Sequence, residues 1–113
     1  MVADASSEVV MMNLLRFATG GREQYEMYAY AIEPFLAKVG GSLVYAGLAG
    51  EALIAEDGQA WDAIVIVRYP SRAAFKQMVA DPGYQAIAHH RTAALRETVL
   101  QPTTPWLSSR ARC

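Results

Sequence analysis

The chain holds a single cysteine, Cys113, its last residue. One thiol cannot close an intrachain disulfide or build a cysteine metal site, and the shortage fits a reducing compartment. An excess of charge is missing too: ten basic residues face eleven acidic ones, for a net charge of −1. No stripe of Lys and Arg stands out, which removes nucleic acid and anionic membrane from the expected partners. No apolar run approaches the ~18–20 residues of a membrane span. The first eight residues lack the basic-then-apolar order of a secretory signal, so a cytoplasmic location is expected. Gly20-Gly21 comes without GxxxxGK[ST] or GxGxxG, and the His pair without HExxH. A turn or cap is therefore the expected role of the glycines, and neither a metal site nor a cofactor is expected. No internal repeat or low-complexity stretch appears.

What is present is one domain's worth of patterned chain. At 113 residues the length fits a single domain of the usual ~100–150 residues. Its 53% apolar content slightly exceeds the ordinary ~45–50%, which hints at buried surface beyond one core. Glu8–Phe17 is a nearly continuous apolar run and reads as a strand covered on both faces. From Arg22 to Val39 the period changes. Tyr25, Tyr28, Ala29, Ile32, Phe35, Leu36 and Val39 recur at three- and four-residue steps, one stripe of a helix, with Pro34 on its outer face. Gly40-Gly41 ends it.

Two strand-like runs follow, Ser42–Ala55 and Ala60–Tyr69, separated by Glu56-Asp57-Gly58-Gln59, a hairpin signal. Ser71 is placed to cap a short helix with Phe75, Met78 and Val79 inward. Asp81-Pro82 restarts the helix, Asp as cap and Pro at its first position. Tyr84, Ile87, Ala88, Leu95 and Thr98 mark the inward stripe of the last helix. Val99–Gln101 reads as a brief final strand. Residues 1–7 and 108–113 read as frayed ends.

The order β-α-β-β-α-β is the ferredoxin-like arrangement of an α+β domain: a four-stranded antiparallel sheet with helices on one face. Both parities of the first and third strands are apolar, so the second sheet face also needs cover. A second copy packed back to back, a homodimer through the sheet face, meets that need.

Three segments resemble a known family: Met11–Phe17 (MMNLLRF), Trp61–Phe75 (WDAIVIVRYPSRAAF) and Asp81–Leu95 (DPGYQAIAHHRTAAL), with a DP-x-YQ-x-I-x-x-x-R signature in the last. The chain is similar to the family called domain of unknown function 1330, within the dimeric α/β-barrel superfamily. The resemblance implies that fold and a dimer. Its relatives include cofactor-free oxygenases, isomerases, haem-degrading enzymes and plain binding proteins, so it implies no one reaction.

Several polar residues sit where packing alone would not put them. On a helical wheel Arg91 falls between Ile87 and Leu95, in the middle of the buried stripe. A charge there needs a partner: a carboxylate such as Asp62, Glu51 or one from a second copy, or the anionic group of a ligand. His89 falls on the solvent side, while His90 lies at the stripe's edge, where it could move a proton in a cleft. Asn13 interrupts an apolar strand and its amide needs partners. Arg16 and Arg68 fall late in neighbouring strands read as parallel, as interface or rim charges. Tyr25, Tyr28 and Trp61 are aromatic core candidates whose polar tips could decorate an apolar pocket.

Two readings stay open. In the first, a cleft between sheet and helices takes a small, largely apolar molecule with a carboxylate or phenol. Arg91, Asn13, Tyr25 and Trp61 would bind it there, and His90 or Tyr28 would serve cofactor-independent proton or oxygen chemistry. In the second, every one of these groups is structural in a non-catalytic binding or assembly protein; no nucleophile–base pair decides between them. A third follows from the resemblance alone: haem-degrading relatives use an asparagine, a tryptophan and a histidine, and Asn13, Trp61 and His90 supply those types. Trp61 comes early in its strand and the histidines lie on the last helix, which departs from the relatives' pattern.

Overall fold

The computed structural model describes residues 7–107. The frayed ends expected at residues 1–7 and 108–113 lie, Ser7 apart, outside the described residues. The elements run β1 (Val9–Phe17), α1 (Gly21–Lys38), β2 (Ser42–Leu48), β3 (Ala63–Tyr69), α2 (Arg72–Ala80), α3 (Pro82–Ala94) and β4 (Leu95–Thr103). This is βαββαβ with its second helical segment broken in two. The strands form one sheet in the order β2-β3-β1-β4, every neighbour antiparallel. The parallel reading of the strands carrying Arg16 and Arg68 is thus corrected. The split βαβ unit is β1-α1-β2, with β3 inserted antiparallel between its strands, so the two arginines lie toward opposite ends of the sheet. Arg68 pairs with Glu8, and Arg16 with Glu97.

Alternation decides which face of the sheet receives the helices. Val9, Met11, Asn13 and Leu15 are buried, while Val10, Met12 and Leu14 between them are only half-buried. The odd-numbered set meets Tyr69, Val67, Val65 and Ala63 across the β1–β3 ladder. Val9, Met11, Leu36, Tyr69 and Met78 form the core cluster, with Ile32, Phe35, Phe75 and Tyr84 packed around it.

The breaks between elements follow from local chemistry. Ser71 accepts a hydrogen bond from the Ala74 N–H at 2.9 Å and opens α2. Asp81 accepts one from the Gly83 N–H at 2.8 Å, with Pro82 in the first helical turn behind it. These bonds satisfy amides that a helix start leaves open. Bonding to Gly83 and to Lys38 holds the Asp81 carboxyl below its ordinary pKa. Gly20, at φ 71°, supplies the left-handed residue before α1, so the glycine pair is a turn. Gly21 has a second duty: a Cβ there would stand 2.0 Å from the Ala94 carbonyl oxygen. The start of α1 and the end of α3 touch through bare backbone.

Three boundaries differ from the sequence reading. β2 ends at Leu48 rather than near Ala55, and β3 begins at Ala63 rather than Ala60. The Glu56–Gln59 turn forms, closed by the Gln59 N–H on the Glu56 carbonyl at 3.1 Å. Its flanks do not pair, because the backbone that would receive them is already engaged. The Asp62 N–H bonds the Leu15 carbonyl, and Arg16 takes the carbonyls of Gly58 and Ala60. Leu53 and Ile54 are left 100% and 95% exposed. Finally, α3 stops at Ala94, so Leu95 and Thr98 belong to β4, which runs through Pro102 to Thr103. A proline is tolerated there because β4 is an edge strand.

Two substitutions test this account by denaturant unfolding. Gly21→Ala should destabilise by more than ~2 kcal/mol, since its methyl meets backbone that cannot rotate away. Ser71→Ala should lose only ~1 kcal/mol, the usual worth of an N-cap. Equal and small losses for both would contradict the close approach at Gly21.

Candidate functional site

The helices do not sit flush on the sheet. α1 leans on α3 more closely than on any strand, and a cavity of about 590 Å³ opens between α1, α2, α3 and the helix-side face of the sheet. Its walls are mostly apolar: Met11, Ile32, Leu36, Val65, Val67 and Met78 among them. Its mouth lies between Ala29, Glu33 and Ala37 of α1 and Ser42, Leu43 and Ala46 of β2, all exposed.

One end of this cavity is polar. Asn13, only 6% exposed, donates through Nδ2 to the Val65 carbonyl at 3.1 Å. Its Oδ1 then accepts from Arg91 Nη2 at 3.1 Å, and the same nitrogen reaches Thr98 Oγ1 at 3.3 Å. Thr98 in turn donates to the Leu14 carbonyl at 2.9 Å. The guanidinium is thereby tied to β1 and β4 from the last turn of α3, where the helix dipole also favours a positive charge. Among the described residues no carboxylate lies within ion-pair distance of it. The expected pairing with Asp62 or Glu51 does not form: the Asp62 carboxylate accepts from the Phe17 N–H instead, at 2.8 Å.

A row of aromatic rings runs along the helix side, and its Tyr25, Tyr28 and Tyr84 line the cavity. Phe17, Tyr25, Tyr28, Tyr84 and Phe35 follow one another with centroids 5.5–6.5 Å apart. The hydroxyls of Tyr28 and Tyr84 share a hydrogen bond of 2.9 Å. Burial raises the pKa of Tyr25 despite the opposing charge of Arg91 beside it. Burial also raises Tyr28, with the bond to Tyr84 adding to the effect, and it raises Tyr69. A phenol so placed keeps its proton at neutral pH. Tyr28 can donate a hydrogen bond to a ligand oxygen, but it is poorly suited to act as a base.

Asn13, Tyr25, Tyr28 and Arg91 thus face one cavity. His90 and Trp61 do not line it. His90 is half-exposed, with Nδ1 3.5 Å from Gln24 Nε2 on α1, and its ring stacks on exposed His89 with centroids 4.0 Å apart. Trp61 lies under the Arg16 guanidinium, 4.6 Å from ring centroid to carbon. The residue types that a haem-degrading site would need are therefore dispersed, and only Asn13 of the three reaches the cavity. Two contributors escaped the sequence reading. Thr98 reads as part of a helix stripe, but it stands in β4 opposite Leu15 and holds Arg91 without itself lining the cavity. Tyr84 read as ordinary core, and only its partner across the chain reveals a polar role.

The raised tyrosine pKa values carry a sign that can be measured. The protonated phenol is the form the folded state prefers, so its contribution to stability is whole below the unfolded value of about 10 and is lost as pH rises through the folded one. In an alkaline titration, tyrosinate absorbance should therefore fall short of the six tyrosines until the circular dichroism of the fold collapses. Full ionisation of all six in a folded protein would contradict the buried placement.

Comparison with known proteins follows the same lines as the geometry. No curated protein matches the chain. A solved protein of unknown function from Rhodopseudomonas palustris is 31% identical, with a TM-score of 0.81 over 91% of this chain and 85% of that one. A dimeric protein of unknown function and ferredoxin-like fold from Bacteroides fragilis is 14% identical, with a TM-score of 0.58, covering 85% and 94%. A cofactor-independent oxygenase from Streptomyces nogalater is 19% identical, with a TM-score of 0.60, covering 91% and 97%. At such low identity the last two show a shared fold alone. The family model described as domain of unknown function 1330 matches residues 14–101. The chain belongs to that family.

Proposed function

We propose that this protein binds a small, largely apolar molecule carrying a carboxylate or a phenolate, and that Arg91 receives the negative charge. The observation that carries the reading is a guanidinium on a cavity wall with no carboxylate partner among the described residues. Asn13 and Thr98 occupy one of its nitrogens and fix its direction. The Tyr25 hydroxyl lies against the same guanidinium, so a planar oxyanion, the group a guanidinium fork matches, would be met there by arginine and phenol together. Tyr25 and Tyr28 stay protonated and add donors beside it. The apolar remainder of the cavity suits a ring or hydrocarbon body.

The same arrangement would stabilise a charge that develops on a bound carbonyl or phenol. It could serve cofactor-independent chemistry on a substrate that activates itself, in keeping with the oxygenase of the same fold. The one carboxylate among the lining residues, Glu33, is exposed at the mouth, which favours binding, or substrate-driven chemistry, over proton abstraction by the protein.

The back of the sheet supports a homodimer. Val10, Met12, Leu14, Ile64 and Ile66 are half-exposed there, and the three helices lie on the other face. Back-to-back packing of two sheets is how such faces are commonly covered, and the Bacteroides fragilis protein of this fold is described as dimeric.

Denaturant unfolding with and without aromatic and aliphatic carboxylates tests the site. Arg91→Met should lose about 1 kcal/mol, well short of the ~3–5 kcal/mol that follows from breaking a buried ion pair. A carboxylate at a hundred times its Kd should add ~2.7 kcal/mol to the wild type and almost nothing to the variant. A variant that responds to the panel as the wild type does would remove Arg91 from the site. Light scattering at low micromolar concentration should give about twice the 12.3 kDa of one chain; a stable monomer would sink the dimer.

A further inference from the structure

A second, smaller hollow of about 220 Å³ adjoins the main cavity. Tyr25, Ala29, Ala46 and Val65 face both. Its own walls are Leu15, Phe17, Leu48 and Ala63, with Arg22 and Glu26 at the rim, themselves paired at 3.7 Å. The sheet register shows how the two are arranged. Met11, Val67 and Leu43 form one row across β1, β3 and β2; Asn13, Val65 and Ala46 form the next; Leu15, Ala63 and Leu48 form the third. The main cavity covers the first two rows, and the annexe covers the third together with Val65 and Ala46 of the second. The shared middle row is the one carrying Asn13, and through it Arg91.

Asn13 and Arg91 line the main cavity alone, but Tyr25, whose hydroxyl lies against the Arg91 guanidinium, faces both hollows, so a group held between Arg91 and Tyr25 stands where the two meet. The aromatic wall repeats that division. Tyr25 lies between Phe17 of the annexe, at 6.4 Å, and Tyr28 of the main cavity, at 5.5 Å. An apolar molecule with its charge at one tip would fill only one side.

We propose that the site selects a two-armed ligand: an oxyanion at the branch point beside Arg91 and Tyr25, a ring-sized arm in the main cavity, and a short arm in the annexe. Ala63 is the residue that sets the length of the short arm. It is 5% exposed, lies on the annexe floor opposite Leu15 and Leu48, and does not line the main cavity. Its small side chain leaves the space that the arm occupies. This inference rests on reading the cavity as an anion-binding site, and its test separates the two.

The probes are phenylacetate and the 2-phenylalkanoates from propanoate to hexanoate, single enantiomers, with Kd measured by calorimetry. These carry the carboxylate at the branch, the phenyl group as one arm and an alkyl chain of growing length as the other. In the wild type, affinity should rise roughly threefold to fourfold per methylene, as full burial of a CH₂ implies, until the annexe is full. In Ala63→Leu the gain should stop at the first carbon, so the ratio of phenylacetate Kd to 2-phenylhexanoate Kd falls toward one. Leu48→Trp narrows the annexe from an exposed edge-strand position and should flatten the series in the same way if Ala63→Leu fails to fold. Equal affinities along the wild-type series, with phenylacetate bound, would overturn the two-armed ligand and leave the anion site standing. An unchanged Kd ratio in both variants would overturn the role of the annexe. No binding of any member, phenylacetate included, would overturn both readings together.

Discussion

The unequal reach of one helical layer and the sheet beneath it decides most of what this fold can do. A four-stranded sheet offers a face wider than the helices that cover it, and here α1 rests on α3 rather than pressing down on the strands. The contact between them is tight because Gly21 lets α1 meet the Ala94 carbonyl directly. Drawing α1 toward α3 leaves β2 with little cover, and the space between α1 and the sheet becomes the cavity. Core packing under α1 is thus confined to Leu36 and its neighbours, while the centre of the sheet faces a hollow. The closeness of one helix pair and the openness of the site are the same event.

That hollow explains why a charged residue persists in an otherwise apolar stripe. Arg91 extends from the last turn of α3 over the sheet centre, where a hydrocarbon side chain would simply fill space. Its hydrogen bonds to Asn13 and Thr98 join α3 to two strands at once. A buried guanidinium without a counter-charge is costly in a dry interior; at a cavity wall, open to solvent or ligand, the cost is small. Asn13, which interrupts an apolar strand, has its reason in the same geometry. Its amide spends its donor on Val65 and presents its oxygen to the arginine. The tyrosines complete a site of donors, one suited to holding negative charge and poor at removing protons.

The loop between β2 and β3 shows how one side chain can override a pattern. Ser42–Ala55 carries the apolar residues of a long hairpin arm, yet pairing stops at Ala49. Arg16 occupies the carbonyls of Gly58 and Ala60 and stacks on Trp61, which turns the returning chain away from the partner that the pattern prepared for it. The result is a pair of exposed apolar residues, Leu53 and Ile54, and a tryptophan removed from the cavity it was expected to line.

Much of this was legible beforehand because periodicity is a local property. The switch from period two to period three or four marked β1 and α1, Ser71 and Asp81 marked their helices, and Arg91 stood out on its wheel between Ile87 and Leu95, four positions to either side. The sequence by itself therefore determined the order of elements, the α+β class and the anomalous charge. Tertiary structure decided what that charge meets: Asn13 lies 78 positions away, and no local pattern encodes such a distance. It also decided that α3 ends at Ala94, since the backbone of β4 is claimed by pairing with β1 and not by its own stripe. His90 faces Gln24, and Thr98 meets Arg91, for one reason: a side chain's direction relative to another element depends on how the elements pack, which is settled only when the sheet closes.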